Sequence, residues 1–439
     1  MLKKSVLLAA VMLSASVWAN NHQTAYSYSG KSEREIPIFA KGEKVVLKVD
    51  LLDNGKPVTT LHNMCYEIYS NGIPGQRKFA KGQSAAAEFA SETPGWYMFS
   101  TFLLNEKLSA YVQKNVYVEG QIGFLIAPEE IKPAVAAPED FDEFWKAQRE
   151  KLDKVPVKAK VKEIPVTGIR KGRMSCKDVQ IDCANGAPVS GYLAMPLGAT
   201  PKSLPAVVTF DGAGVYSATM PDRFGHVAIS FNVNAHGIEN GKDDAFYRNL
   251  SKGKLKDYQF FGCDKRETVY FLGMYLRVMR ALDYVKTLPE WDGKTLIVRG
   301  GSQGGAQAIA AAALDPQVTF CMAAAPALCD LSAAKANRKP GWPWFYGPGC
   351  RRKEVPGVAQ AVPYYDTVNF AARMRCESFF IIGLRDTVCP PVGIYAAYNS
   401  IPEGVEKNIA IQPERGHSVR IADGDKHVYD IIMKRKRSK

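Results

Sequence analysis

The sequence lacks the long apolar runs of a membrane-spanning protein and the paired cysteines of a zinc-binding one. Beyond its first residues, no apolar run free of charges reaches the roughly 20 residues that a membrane-spanning helix needs. The nine cysteines include no C-x-x-C pair of the kind that binds zinc. Their odd number leaves at least one thiol unpaired within a single chain, and their spacing does not reveal disulfide pairing. We therefore expect no membrane span, no metal and no cofactor.

Charge gives little indication of a nucleic-acid partner. Lys and Arg number 57 against 44 Asp and Glu, and the formal net charge is +13. A large part of the excess lies in the tail at residues 434–439, where no aromatic residue interleaves with the basic ones. A basic tail without aromatics is weak support for nucleic-acid binding, so we expect none.

The first 19 residues have the pattern of a signal peptide. Lys3 and Lys4 precede an apolar run at residues 6–13, and residues 17–19 (Val-Trp-Ala) resemble a cleavage site. The apolar run is too short to span a membrane. We predict a signal peptide at residues 1–19 and an exported protein, either periplasmic or secreted.

The length of 439 residues exceeds what one compact core normally requires. Residues 20–125 alternate short β-like runs with turn signals, which predicts a small antiparallel β-sandwich of immunoglobulin-like type. Its expected elements are strands at 45–51, 97–103 and 111–118 and a turn at 53–56. No catalytic constellation is found in this region.

Residues 126–439 have the pattern of a second, α/β domain. Apolar strands alternate with helical stretches, which predicts a doubly wound parallel sheet. The predicted strands lie at 206–210, 227–233, 295–299, 318–323, 379–383 and 408–412. The longest helix is predicted to start at Asp264, where Glu267 would complete a capping box.

A glycine-rich turn at residues 300–305 (Gly-Gly-Ser-Gln-Gly-Gly) joins a predicted strand to a predicted helix. A serine on such a turn is the G-x-S-x-G nucleophile elbow of α/β-hydrolases, with glycines where a Cβ would collide with the crossing strand and helix. Ser302 is therefore the predicted nucleophile. The alternative, a phosphate-binding loop, lacks the lysine that such loops carry.

The base follows from the order of a triad. A serine nucleophile needs an imidazole and a carboxylate, and α/β-hydrolases carry them in the order serine, acid, histidine. Of the six histidines, only His417 and His427 follow Ser302. His417 comes shortly after an apolar run at 408–412, whereas His427 lies in a predicted terminal helix. We predict His417 as the base.

The candidates for the acid are the aspartates between Ser302 and His417, namely Asp315, Asp330, Asp366 and Asp386. Only Asp386 directly follows a buried-strand pattern, at residues 378–385, and precedes the breaker Cys-Pro-Pro. We predict Asp386 as the acid, with a turn or helix-capping aspartate as the alternative.

Acyl transfer also needs donors for the oxyanion that forms in the transition state. One expected donor is the backbone N–H of Gln303, the residue after the nucleophile. We assign the second to Ala213, in the Asp-Gly-Ala-Gly loop at 211–214 that follows a predicted strand. A plain strand-to-helix loop is the alternative.

Four segments together resemble the acetyl xylan esterase and cephalosporin C deacetylase family. They are the turn at 300–305, residues 384–391 (Leu-Arg-Asp-Thr-Val-Cys-Pro-Pro) leading into 395–399, residues 366–373, and residues 138–145 (Pro-Glu-Asp-Phe-Asp-Glu-Phe-Trp). The resemblance covers residues 126–435. It implies an α/β-hydrolase that removes acetyl groups, without a metal, from short xylo-oligosaccharides and related small molecules. It also implies Ser302, Asp386 and His417 as the triad.

Three departures from the family pattern concern the surroundings of the site. The chain has His236-Gly237-Ile238 where the family usually has Arg-Gly-Gln, Asp211-Gly212-Ala213 where it has His-Gly-Tyr, and Ser418 where it has glutamate. They leave the triad in place and bear on substrate preference and on the ring-like oligomer of the family. A homo-oligomer is an expectation of the resemblance alone.

Candidate substrate contacts are Trp342, Trp344 and His236. The tryptophans lie in residues 339–346, where four aromatic residues stand among breakers, and sugar rings present apolar faces that pack on indoles. Aromatic residues in an insertion also anchor it to the body, and a histidine in a turn is often satisfied within the protein.

The sequence thus predicts a serine esterase acting on acetylated oligosaccharides. A serine peptidase of the prolyl oligopeptidase type shares the elbow and the triad order, but typically carries a much longer β-propeller before its catalytic domain. A carbohydrate-binding protein with a relict hydrolase site is the non-enzyme alternative. Because no triad residue precedes residue 126, we expect a chain starting at Ala127 to keep its turnover of small acetyl esters if it stays folded.

Overall fold

The computed structural model of the protein describes residues 26–30, 32–113, 116–184, 186–350, 352–353 and 355–437. The predicted signal peptide and the end of the basic tail lie outside these residues. Within them, no helix combines the length and the apolar character needed to cross a membrane. All nine cysteines fall in the described part, and none of them forms a disulfide.

The N-terminal part, up to residue 126, is built of short strands in two main sheets. The strands are β1 Tyr26–Gly30, β2 Ile38–Phe39, β3 Val45–Asp53, β4 Lys56–Pro57, β5 His62–Ser70, β6 Ile73–Pro74, β7 Lys78–Gly82, β8 Ser84–Phe89, β9 Gly95–Leu103, β10 Val112–Gln113, β11 Val116–Tyr117 and β12 Glu119–Ile126. One sheet has the order β1-β3-β4 with β8 on β3, and the other has the order β2-β12-β9-β5-β6 with β7 on β5.

Buried and more exposed residues alternate along β3: the odd-numbered residues from Val45 to Leu51 are buried and those between them are not. This strand therefore packs with one face against the interior of the sandwich. The predicted strands at 45–51 and 97–103 are confirmed. The predicted turn is confirmed as well, since Asn54 and Gly55 have φ angles of 46° and 78°, as a tight hairpin requires. The predicted strand at 111–118 is wrong. The apolar run there is interrupted by polar Gln-Lys-Asn, and the segment contributes the short antiparallel pair β10 and β11.

The remaining strands form one nine-stranded sheet. They are β13 Ala159–Glu163, β14 Met174–Ile181, β15 Val189–Pro196, β16 Leu204–Phe210, β17 Ile229–Val233, β18 Trp291–Gly301, β19 Phe320–Ala324, β20 Glu377–Gly383 and β21 Lys407–Gln412. Their order is β13-β14-β15-β17-β16-β18-β19-β20-β21. The six strands from β16 onward are parallel, as predicted. The antiparallel β13, β14 and β15 were not predicted; β13 is exposed along its whole length and has no apolar run.

Helices cover both faces of this sheet. They are α1 Phe141–Asp153, α2 Asp244–Lys252, α3 Tyr270–Thr287, α4 Gln303–Leu314, α5 Val358–Ala361, α6 Thr367–Ala371, α7 Pro391–Ser400 and α8 Ala422–Arg437. The predicted start of α3 at Asp264 is wrong, because the helix begins at Tyr270 without a side-chain cap. Glu267 pairs with Arg266 at 2.8 Å instead of closing a capping box.

Two apolar layers hold the parallel strands. Residues of α3 and α4 pack on one face, whereas Val428 and Ile432 of α8 pack on the other face with Ile297 and Met322. A strand that is buried on both faces consists largely of apolar residues in sequence. For this reason β16, β17 and β19 could be predicted from the sequence. The residues that follow the parallel strands meet at one edge of the sheet, where ligands of such folds bind.

The N-terminal sheets are not separated from this core. Trp96, Met98 and Leu125 belong to the same buried apolar cluster as Phe141 and Trp145 of α1. Strand β12 ends at Ile126, close to the predicted boundary. The division into domains at 20–125 and 126–439 stays a prediction.

Candidate active site

Ser302 lies on a strained turn between β18 and α4. Its φ and ψ are 54° and −122°, a conformation that residues other than glycine rarely adopt. A Cβ on Gly304 would lie 2.0 Å from Phe210 O, and one on Gly300 would lie 2.2 Å from Gly304 O. The first turn of α4 therefore packs directly against the backbone at the ends of β16 and β18. Ser302 carries a side chain on a turn whose close contacts are made by glycines.

Hydrogen bonds join the three residues predicted as a triad. Ser302 Oγ lies 2.9 Å from His417 Nε2, and His417 Nδ1 lies 2.8 Å from Asp386 Oδ2. Because the carboxylate accepts from Nδ1, Nε2 is the nitrogen left to accept the serine proton. Asp386 is fully buried, and its other oxygen accepts from the N–H groups of Val388 and Cys389 at 2.8 and 2.9 Å.

The other candidates for acid and base lie in different settings. His427 bonds Glu377 at 2.8 Å and stacks on Phe320. Asp315 pairs with Lys286 at 2.6 Å. Asp366 caps α6, and its carboxylate accepts hydrogen bonds from three backbone N–H groups. Burial raises its pKa to about 8, and the charge of the nearby Asp330 adds to this shift. None of these side chains is hydrogen-bonded to Ser302 in the part of the chain that the structure describes.

The loop at 211–214 lies beside Ser302. A Cβ on Gly212 would be 3.9 Å from Ser302 Cβ. Gly212 O accepts a hydrogen bond of 2.7 Å from the hydroxyl of Tyr216. The C=O and N–H of one trans peptide point in opposite directions, so this bond also fixes the direction of the Ala213 N–H. Neither Ala213 N nor Gln303 N donates to another described residue, which leaves both amides available to an oxyanion.

His236 lies behind this loop. Its Nε2 is 2.8 Å from Gly214 O and its Nδ1 is 2.8 Å from the hydroxyl of Tyr270. Burial lowers its pKa to about 4, so the ring is neutral; Nε2 donates to the carbonyl and Nδ1 accepts from Tyr270. Both nitrogens are thus engaged within the protein. His236 therefore holds the loop and offers no free ring nitrogen to a substrate.

Tyr216 and Tyr258 also contact the site, and no sequence signal marks either of them. The hydroxyl of Tyr258 donates to Gln303 Oε1 at 2.6 Å, and its ring meets His236 edge-on. Tyr258 therefore links the side chain of Gln303 to His236. These contacts join residues that are far apart in the chain or lie in irregular loops. No periodicity or spacing marks such contacts.

The two tryptophans lie in different environments. The backbone N–H of Trp342 donates to Val388 O at 3.1 Å, next to the loop of Asp386, and its half-buried ring meets Phe271 edge-on. The indole of Trp344 donates to Tyr346 O at 2.8 Å within its own loop. Trp342 is therefore the one bonded to the loop of Asp386, whereas Trp344 is bonded within its own loop.

Asp386, Cys389 and His417 form the group of possible metal ligands found among the described residues. Two of the three are already bonded to each other. Burial, followed by the charge of Asp386, raises the pKa of Cys389 well above its ordinary value, so the thiol stays protonated beside Ser302. This donor set suits a proton-transfer site better than a metal site.

Comparisons with known proteins identify relatives of the same type. The family described as "Acetyl xylan esterase (AXE1)" matches residues 127–434. The acetyl esterase Axe7A of Xylanibacter ruminicola is 30% identical over 374 residues, which cover 83% of this chain and 81% of that protein.

Solved structures agree with this result. The acetyl xylan esterase from Paenibacillus sp. R4 has a TM-score of 0.58 and 26% identity, covering 70% of this chain and 98% of its own. Acetyl xylan esterase 1 from Thermoanaerobacterium sp. JW/SL YS485 has a TM-score of 0.56 over 70% of this chain and 97% of its own; at 24% identity it supports the fold. With a family match over well more than half of its length, the chain belongs to the acetyl xylan esterase family and is a carboxylic ester hydrolase of the α/β-hydrolase fold.

Proposed function

We propose that the protein removes acetyl groups from small carbohydrates such as acetylated xylo-oligosaccharides, with Ser302, His417 and Asp386 as its triad. The observation that carries the proposal is the chain of hydrogen bonds from Ser302 Oγ through His417 to the buried Asp386. The family name and the name of the Xylanibacter ruminicola relative supply the acetyl group and the xylan.

The proposed reaction has two halves. Ser302 Oγ attacks the acetyl carbonyl while His417 Nε2 takes its proton, and the oxyanion accepts hydrogen bonds from the N–H groups of Gln303 and Ala213. His417 then gives the proton to the departing sugar hydroxyl, which leaves an acetylated Ser302. A water molecule attacks this ester with the same base and donors, releases acetate and restores the serine. Asp386 holds the imidazole and stabilises its charged form.

Aromatic side chains beside the site are the proposed sugar contacts. Tyr216, which is 37% exposed, bonds the loop at 211–214, and the half-buried Trp342 lies next to the loop of Asp386. Faces of pyranose rings pack on aromatic rings. Tyr216 bonds the loop that lies beside Ser302, and Trp342 bonds the loop of Asp386.

The test is acetate release by the purified full-length protein from acetylated xylo-oligosaccharides, with Ser302→Ala as the matched control. We expect the wild type to release acetate and to prefer acetyl over octanoyl esters, and the variant to be inactive while folded. Substrate hydrolysis by Ser302→Ala at the wild-type rate would contradict the assigned nucleophile. A chelator should leave the activity unchanged.

Two further measurements separate the alternatives. Faster cleavage of a prolyl amide than of the corresponding ester would favour a peptidase. Failure of a fluorophosphonate to label Ser302 in the wild type would favour a binding protein with a relict site.

Export and oligomeric state belong to the proposal as well. Export rests on the pattern of residues 1–19, and cell fractionation with N-terminal sequencing of the product tests for cleavage after Ala19. The homo-oligomer rests on the family resemblance, and sedimentation of the purified protein tests it.

A further inference from the structure

The loop at 384–388, which carries Asp386, lies directly against the N-terminal sheets. The indole of Trp96 on β9 is completely buried and donates a hydrogen bond of 2.8 Å to Leu384 O. On the neighbouring β12, a Cβ at Gly123 would lie 2.0 Å from the same oxygen. The backbone two residues before the acid is therefore held by one strand and touched by the next.

A second connection reaches the residue after the acid. Lys339 donates its backbone N–H to Asn71 O at 2.9 Å, and its Nζ donates to Thr387 O at 2.6 Å. Asn71 belongs to the N-terminal part and is itself tied to Trp96, because its side-chain oxygen accepts from Trp96 N at 2.9 Å. Carbonyls on both sides of Asp386 are thus held by contacts that lead to Trp96 and Asn71.

Asp386 orients His417 through a single hydrogen bond, so its position sets the direction of the imidazole. The loop of the acid also contacts the loop of the base, since Arg385 donates its backbone N–H to Arg415 O at 2.9 Å. A displacement of the acid loop would reach both residues. A shift of about 1 Å in such a site can reduce the rate about 10²-fold.

We propose that Trp96 and Lys339 are positioning residues that hold the loop of Asp386, so that the N-terminal sheets form part of the active-site scaffold. This inference rests on the proposed triad. Neither residue contacts the reacting atoms in the proposed mechanism. Both act through the backbone on either side of Asp386.

The first test is Trp96→Phe in the full-length protein. Phenylalanine keeps an apolar ring but removes the N–H that bonds Leu384 O, so we expect kcat for a small acetyl ester to fall about tenfold with little change in KM. The matched control is Trp145→Phe. Trp145 is also buried and donates a comparable bond of 3.0 Å, but to Tyr364 O, which belongs to neither triad loop. Its kcat should stay close to that of the wild type.

The second test is Lys339→Met, which keeps most of the apolar stem but loses the bond to Thr387 O. It should lower kcat to a similar degree, and it gives an independent result if Trp96→Phe folds poorly. Titration with a fluorophosphonate counts the folded, reactive sites, so that kcat refers to active enzyme in every variant.

A double-mutant cycle then separates positioning from general loss of stability. Asp386→Asn should cost about 10⁴ in kcat by favouring the wrong imidazole tautomer. Adding Trp96→Phe to it should cause little further loss, because Trp96 acts through Asp386. Equal losses in both backgrounds, a wild-type kcat in Trp96→Phe and Lys339→Met, or an equal effect of Trp145→Phe would overturn the inference. A wild type without esterase activity would instead refute the proposed function.

Discussion

At the scale of single residues, the elbow separates two glycines that look alike in the sequence. A Cβ at Gly304 would meet Phe210 O at 2.0 Å, whereas one at Gly301 would have Ala324 O at 3.7 Å as its nearest neighbour, an ordinary contact. We expect Gly304→Ala to abolish esterase activity and to lower the melting temperature, since backbone must move to admit the methyl group. Gly301→Ala should stay folded and active. Calorimetry and ester turnover on the pair check this, and a fully active Gly304→Ala would refute the close approach.

Tyr216 offers a second prediction at this scale. Its hydroxyl fixes the peptide between Gly212 and Ala213, and removing an oxyanion donor outright costs about 10²–10³ in kcat. Tyr216→Phe loosens the donor without deleting it, so we expect kcat to fall about tenfold with KM unchanged because the ring remains. Tyr247→Phe is the control, as that hydroxyl bonds the carbonyl of Glu239 in another loop. Steady-state kinetics decide, and a change confined to KM would show that Tyr216 acts through substrate contact alone.

At the scale of elements, the strands and the elbow could be predicted from sequence, whereas the contacts that support them could not. The central strands are buried on both faces and leave apolar runs, and the turn after β18 leaves a glycine signature. The start of α3 depends on local turns and the Arg266–Glu267 pair, which override the apparent capping box. Edge strand β13 has no buried face and so no pattern. Tyr216 and Tyr258 bond across loops, where no sequence period exists.

The contact between the loop at 211–214 and α3 gives a prediction about pH. Tyr270 at the start of α3 and Gly214 in the loop are joined through His236, whose pKa burial lowers to about 4; the neighbouring Arg277 adds to this shift. An unfolded histidine titrates near about 6.5. Between these values the unfolded state binds more protons, so the folded state loses stability as the pH falls from about 6.5 to about 4.

We therefore expect His236→Gln, which cannot titrate but retains a donor for Gly214 O, to lose less stability on acidification than the wild type. The difference between pH 7 and pH 4.5 should be about 2–3 kcal/mol in the free energy of unfolding. Urea unfolding at both pH values measures it, and other titrating groups cancel because they are common to both proteins. Parallel pH profiles would mean that His236 is not held neutral by burial.

At the scale of the whole molecule, the three residues of the proposed triad follow strands of the α/β sheet, and the N-terminal sheets complete the core beneath them. Trp96, Met98 and Leu125 are buried among residues of the hydrolase part, at exposures of 0%, 2% and 0%. The absence of any predicted triad residue before residue 126 predicts that a chain starting at Ala127 keeps its turnover of small acetyl esters if it stays folded. The shared core and the bond from Trp96 to Leu384 O lead to the opposite expectation.

A chain that starts at Ala127 should have a much lower melting temperature and little turnover of small acetyl esters. Burial of a large apolar side chain contributes about 1.5–3 kcal/mol, so three of them represent a large share of the 5–15 kcal/mol that stabilises a typical domain. Circular dichroism and ester turnover on the truncated and full-length chains provide the measurement. If the truncated chain folds with a wild-type kcat, the N-terminal sheets neither complete the core nor hold the loop of Asp386. If it folds with a reduced kcat and unchanged KM, stability and positioning are separate contributions, and the second is the one that Trp96 supplies directly and Asn71 supplies through Lys339.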